Sequence, residues 1–197
     1  MDESPRGISK KRQAVLDEAV SRYLEGTRTT WEDLRGKSVL DIAVDDGAFA
    51  DAARQQGIDV VSMDIRRREW NRFHRHAGEK QPFVQADAAT LPFAEATFDV
   101  VISHAGPFDG RSDDVFREAY RVLKPGGELR VGRVPINPEG PIPDLPEDLD
   151  ERMAAVRQHS QKYVVELSKK MGFSDVEYTE HPADANGMIY CSFVFRK

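Results

Sequence analysis

From Ser38 to Val134 the chain alternates short apolar runs with stretches whose apolar residues recur every three or four positions. The alternation predicts strands punctuated by helices. Ser38 to Val44 has few polar residues and reads as a buried parallel strand. Asp59 to Ile65, Phe83 to Gln85 and Phe98 to Ser103 read as three more, the last built on Val100-Val101-Ile102. A helix is expected from Ala48 to Gln56, with Asp46 placed to cap it and Gly57 to end it. A second spans Ser112 to Leu123, with Val115, Phe116, Ala119, Val122 and Leu123 inward. Lys124-Pro125-Gly126-Gly127 then forces a turn into a fifth strand, Glu128 to Val134. Ahead of this series, after a frayed start over residues 1–8, Ser9 to Glu25 reads as an amphipathic helix. Its inward residues are Val15, Leu16, Ala19, Val20, Tyr23 and Leu24, and Gly26 stops it. After the series, Pro135 to Pro146 carries five prolines and reads as a stiff surface loop. Glu147 to Met171 holds a long helix with Val156, Tyr163, Val164 and Leu167 inward, ended by Gly172. Asp175 to Thr179 and Gly187 to Phe195 close the chain as two strands.

Strands alternating with helices predict an α/β sheet covered on both faces, and the two successive strands at the end predict one antiparallel pair added to it. Open sheets of this kind bind ligands beyond the carboxyl ends of the strands, where strand order reverses. Asp41 to Gly47, Asp64, Asp87, Ser103 and His104 fall on that rim.

Composition narrows the picture. At 197 residues the chain fits one domain of ordinary size, 40% hydrophobic and 31% charged. A formal net charge of -6 gives no general attraction to nucleic acid or anionic membranes. The single cysteine, Cys191, excludes an internal disulfide and a multi-cysteine zinc site, and it reads as a small core hydrophobe. No apolar run approaches the ~20 residues of a membrane span. The charged N-terminus lacks the apolar segment of a secretory signal, so a cytoplasmic location is the default expectation.

Four segments then match a known pattern in order: Val39-Leu40-Asp41-Ile42 leading to Gly47; Val60-Val61-Ser62-Met63-Asp64; Gln85-Ala86-Asp87-Ala88-Ala89-Thr90-Leu91-Pro92-Phe93 with Phe98-Asp99-Val100-Val101; and Glu118-Ala119-Tyr120-Arg121-Val122-Leu123-Lys124-Pro125-Gly126-Gly127. Together they resemble the class I S-adenosylmethionine-dependent methyltransferases, in the branch of ubiquinone and menaquinone biosynthesis enzymes. The resemblance implies a three-layer Rossmann-like fold, its seven-stranded sheet mostly parallel with the last strand antiparallel. It implies residues 31–197 as a single such domain and residues 1–30 as a helical segment able to act as a lid. It also implies roles. Asp64 would accept from the ribose hydroxyls of S-adenosylmethionine, and Ile65 would pack on the adenine. Asp87, with the Ala88 backbone, would accept from the adenine amino group. Ser103 and His104 would lie where donor meets acceptor, with His104 the candidate base. The product would be S-adenosylhomocysteine, and no metal is expected.

The first loop departs from the family's acid-x-Gly-x-Gly-x-Gly. Here Ala43 and Asp45 stand at the first two glycines, and Gly47 keeps the third. Ala43 adds one methyl group. Asp45 brings a carboxylate toward the expected position of the methionine carboxylate. Two such charges ~4 Å apart repel by ~4 kcal/mol at an effective dielectric near 20, about a thousandfold in affinity if uncompensated. Alternatively Asp45 and Asp46 simply cap the following helix. Three functions therefore stand: a methyltransferase acting on a small-molecule acceptor, a catalytically degenerate relative serving as a binding or regulatory partner, or a related enzyme whose altered loop accepts a different ligand or gives the same cofactor a different fate.

Arg66, Arg67, Arg68, Arg72 and Arg75 crowd a segment with Trp70, Phe73, His74 and His76. It reads as a solvated face. The alternatives are an anion or partner site beside the adenine pocket and, more remotely, an RNA surface. His159 and His181 fall in late elements, and nothing in the pattern selects them. Ser103-His104-Ala105-Gly106 does not resemble the Asn/Asp-Pro-Pro-aromatic motif of enzymes that methylate nucleobases or glutamine. Without a large insertion, the acceptor pocket is expected to be small, open, or completed by a second copy or partner chain.

Overall fold

Val39, Leu40, Asp41 and Ile42 are all buried, which a strand achieves only with layers on both of its faces. The computed structural model describes residues 10–44, 47–66, 82–106, 113–135, 162–182 and 190–197. In chain order these form α1 (Lys10–Gly26), α2 (Trp31–Leu34), β1 (Val39–Ile42), α3 (Ala48–Gln55), β2 (Val60–Asp64), β3 (Phe83–Gln85), β4 (Phe98–His104), α4 (Asp113–Val122), β5 (Leu123–Pro135), α5 (162–171), β6 (Asp175–Glu180) and β7 (Tyr190–Arg196). The seven strands make one sheet in the order β3-β2-β1-β4-β5-β7-β6. The pairs from β3 through β5 are parallel, and β7 runs antiparallel to both β5 and β6. The α/β class and the antiparallel closure expected from the sequence are both present.

The two-residue period of the strands sorts the core. Leu40, Ile42, Val101, Leu129 and Phe195 pack on one face with Phe116 and Ala119 of α4 and Leu167 of α5. Val39, Val100 and Ile102 pack on the other with Phe49, Ala50 and Ala53 of α3, and Tyr23 and Leu24 of α1 join them. Asp41 and His104 share the parity of Val39 and Ile102, so both side chains belong to the α1/α3 face. Ser103 has the parity of Val101 and belongs to the opposite one.

Several details differ from the sequence expectation. Val15, expected inward, is 57% exposed. The N-cap of α3 is Gly47 rather than Asp46, with a left-handed φ of +77°. The turn at Lys124 to Gly127 sits inside the limits of β5: Leu123 pairs with Phe98 and Glu128 with Val100, so those four residues loop out of the ladder. Pro135 ends β5, and residues 136–161, with the rest of the proline-rich segment, Val156 and His159, lie outside the described residues. Cys191 is buried, as expected, and burial together with Glu180 pushes its thiol up to about 12.

A polar clamp holds the segment that follows β3. Glu118 of α4 accepts from the Leu91 N–H at 2.7 Å, and Arg121 donates to the Leu91 and Phe93 carbonyls while bonding Glu118. The third and fourth sequence segments thus hold each other, and the clamp fixes the turn beginning at Asp87.

Candidate functional site

The sheet reverses its winding between β1 and β4, and the carboxyl ends of β1, β2, β3 and β4 diverge there around two adjoining cavities. The smaller, about 280 Å³, is lined by Ile42, Ala43, Met63, Asp64, Ile65, Arg66, Ala86, Asp87, Ala88, Ala105 and Gly106. The larger, about 430 Å³, lies under α1. Both share Ala43, Asp64, Arg66 and Ala105.

In the smaller cavity each carboxylate is aimed by a local turn. Asp64 Oδ1 accepts from the Arg66 N–H at 2.8 Å, and Asp87 Oδ1 accepts from the Ala89 N–H at 2.9 Å. Ile65 lines the same cavity and is 59% exposed, an apolar surface beside them. Ala43 forms the floor with φ +61°, a left-handed conformation natural to glycine. Its N–H donates to the Met63 carbonyl at 2.8 Å. A Cβ on neighbouring Gly106 would lie 3.2 Å from the Ala43 Cβ and 2.0 Å from the Ser103 Oγ, so only glycine fits there.

The larger cavity is roofed by α1 through Ala19, Val20, Arg22 and Tyr23, and floored by Ala43, Val44, Ala48, Phe49, His104 and Ala105. Aromatic rings run along it: Trp31 to Phe49 at 5.7 Å, Phe49 stacked on Tyr23 at 4.2 Å, and Tyr23 to His104 at 5.1 Å. The Tyr23 phenol donates to Asp41 Oδ1 at 2.5 Å, while Asp41 Oδ2 is buried with no partner. Burial, reinforced by Asp64 and opposed by the Tyr23 hydrogen bond, pushes the Asp41 carboxyl up to about 8. Burial, with Arg133, Arg22 and His181 nearby, pulls the His104 imidazole down to about 4. His104 is therefore neutral at physiological pH, able to accept a hydrogen bond but a weak base.

Two glycines set this roof. A Cβ on Gly26 would come within 2.8 Å of the His104 Nε2, and one on Gly132 within 2.4 Å of the Gly26 carbonyl oxygen. The end of α1 thus rests directly on β5, above the imidazole.

Of the residues named from sequence, Ala43, Asp64, Ile65, Asp87, Ala88 and His104 line the cavities. Asp41 lies behind Tyr23, and Gly47 caps α3. Ser103 is fully buried, its hydroxyl donating to the Ile42 carbonyl at 2.9 Å, and it lines neither cavity. Asp45 is outside the described residues, as is the arginine-rich segment beyond Arg66. His181 meets Ser192 at 3.0 Å. Arg22 and Arg133 were not legible as site residues; the one signal for Arg133 is the glycine before it.

The cleft lies at the switch point of a doubly wound sheet, where sheets of this kind bind their ligands, with Asp64 ending β2 and Asp87 two residues beyond β3. Residues 40–131 match the family model described as a methyltransferase domain. The chain is 30% identical over 129 residues to 27-O-demethylrifamycin SV methyltransferase of Amycolatopsis mediterranei, covering 60% of this chain and 46% of that protein. It is 34% identical over 126 residues to the ubiquinone/menaquinone biosynthesis C-methyltransferase UbiE of Cereibacter sphaeroides, covering 59% and 50%. The chain thus spans about half the length of these curated relatives. Its fold is similar to phosphoethanolamine N-methyltransferase 2 of Haemonchus contortus, with TM-score 0.64, 19% identity, and 91% and 53% of the two chains covered. It is also similar to 1,6-didemethyltoxoflavin-N1-methyltransferase of Burkholderia thailandensis, with TM-score 0.58, 20% identity, and 100% and 93% covered. Residues 40–131 thus match the methyltransferase-domain pattern, on a fold shared with S-adenosylmethionine-dependent methyltransferases.

Proposed function

We propose that this protein transfers the methyl group of S-adenosylmethionine to a small-molecule acceptor. The observation that carries the reading is the continuity of the two cavities across Ala43, Asp64 and Ala105. The residues present suit the donor. Asp64 and Asp87 offer carboxylates suited to ribose hydroxyls and an adenine amino group, and Ile65 offers a bare apolar face for a planar base. The unpartnered Oδ2 of buried Asp41 suits a nearby ammonium, which would favour the ionised carboxylate that burial alone disfavours.

When bound, S-adenosylmethionine supplies an already activated sulfonium methyl. The protein's task is then chiefly to align an acceptor and exclude water. In the larger cavity, α1 covers the space, and Tyr23 and Phe49 offer aromatic walls. Neutral His104 is placed to accept a hydrogen bond from an acceptor O–H or N–H.

Calorimetric titration with S-adenosylmethionine and S-adenosylhomocysteine tests the reading; binding in the micromolar range is expected. Absence of heat and of a thermal shift at millimolar ligand would sink it. An Asp45→Gly variant separates it from the degenerate alternative. A large gain of affinity would mean that Asp45 obstructs the donor, while a loss would mean that it holds the donor.

A further inference from the structure

Three arginines, Arg22, Arg66 and Arg133, are among the residues lining the larger cavity, against a single acid, Asp64, and the charges of Arg133 and Arg22 are felt at His104 inside it. Elsewhere Arg28, Arg117, Arg121, Arg130 and Arg196 are each ion-paired with an acid. The three in the cavity pair with no acid among the described residues; the Arg133 guanidinium only lies over the Tyr190 ring, 4.9 Å from its centroid.

The backbone goes out of its way to present one of them. Val131 pairs with Phe193 and Val134 with Cys191, so Gly132 and Arg133 together oppose Ser192 alone. This is a β-bulge, a device that re-aims a side chain beside a site. Arg133 adopts φ +53° there, a conformation that L side chains rarely take. Backbone strain at a charged, non-glycine residue that lines a cleft points to a role for that residue.

Charge balance says what the role is. The cavity residues carry a surplus of two positive charges. The donor's methionine end brings an ammonium and a carboxylate that cancel, and its sulfonium adds a third. Asp41, ionised beside the ammonium, offsets one of the three, and a neutral acceptor would leave the other two uncompensated beneath α1.

We propose that the acceptor is a small molecule with an apolar body and one anionic group, a carboxylate or a phosphate, gripped by Arg133 and Arg22 with Arg66 at the mouth. The assignment rests on the methyltransferase reading and adds the substrate class to it. Val20, Val44, Phe49 and Tyr23 receive the apolar body, and the forked guanidiniums suit a two-oxygen anion.

The test is calorimetric titration of 4-hydroxybenzoate, phenyl phosphate and neutral 4-hydroxybenzamide into the full chain, free and saturated with S-adenosylhomocysteine. At least one anion should bind tenfold or more tightly than the amide, and the two anions separate carboxylate from phosphate recognition. Arg22→Gln and Arg133→Gly should each reduce that preference at least fivefold. Arg133→Gly should also keep or raise the melting temperature, because glycine takes the bulge conformation without strain. Equal affinity for anions and amide, or an anion preference that survives both substitutions, overturns the proposal. If S-adenosylhomocysteine binds and no anion preference appears, the acceptor class falls and the methyltransferase reading stands. If S-adenosylhomocysteine does not bind, that reading falls, and the acceptor class with it.

Discussion

The phenol of Tyr23, on α1, donates a 2.5 Å hydrogen bond to the Asp41 carboxylate, on β1. It joins the roof of the cavity to the central strand. Tyr23→Phe keeps the ring stacked on Phe49 but leaves a buried carboxyl group with neither oxygen bonded to this roof. The variant should lose about 1–3 kcal/mol of stability, read by urea denaturation. A loss below about 0.5 kcal/mol would show that the contact is replaced by water.

Asp41 also sets a pH dependence. Its folded-state value of about 8 lies far above the ordinary carboxylate range, mainly because of burial. The folded protein then binds a proton that the unfolded chain has released, so stability falls as pH rises from about 4 toward 8. His104, pulled down to about 4, acts in the opposite sense, removing stability as pH falls from about 6.5 toward 4. Only the Asp41 contribution operates between about pH 6.5 and 8. Wild-type denaturation free energies should decline across that interval, and those of Asp41→Asn should decline less. Parallel curves would contradict the assignment.

Ala43 occupies φ +61°. Ala43→Gly removes a left-handed penalty of roughly 1–2 kcal/mol and incurs the smaller entropic cost of glycine. A net gain of about 0.5–1 kcal/mol is expected, with S-adenosylhomocysteine affinity unchanged or higher in the same sample. Destabilisation would mean that the methyl group contributes packing at the floor.

Gly132 has no space for a Cβ, which would meet the Gly26 carbonyl oxygen at 2.4 Å. Gly132→Ala must displace the end of α1 and should cost about 1–3 kcal/mol. Proteolysis within α1 should accelerate in this variant and not in Gly36→Ala, which strains a left-handed φ of +69° but whose Cβ would meet nothing within 4 Å. Equal rates would argue against the abutment.

Much of this architecture was legible in the sequence. Val100-Val101-Ile102 and Val39-Leu40 are unbroken apolar runs, and burial on both faces is the condition that writes such runs. Asp64 and Asp87 were legible because one ends β2 and the other lies two residues beyond β3. Ser103 and His104 looked equally placed on the rim, yet adjacent strand residues face opposite ways. Ser103 went to the Ile42 carbonyl, and His104 to the cavity. Arg133 was hidden because Arg130-Val131-Gly132-Arg133-Val134 reads as ordinary alternation, and a bulge depends on the count in the opposing strand. Val15 sat at helical spacing with the inward residues of α1, but helical spacing does not tell how far along a helix the contact with its neighbours extends.

The tethers of α1 are concentrated at one end. Tyr23 bonds Asp41 and stacks on Phe49, Gly26 abuts Gly132, and Thr27 and Thr29 are buried just beyond. Toward the other end, among the described residues, Gln13 bonds Asp17 of the same helix, and Val15 faces solvent. Among the described residues the helix is a cantilever, clamped at its root and without a tether at its tip. The larger cavity lies under the clamped half, against Ala19, Val20, Arg22 and Tyr23, so the roof over it is held by the root of the lever and not by its tip.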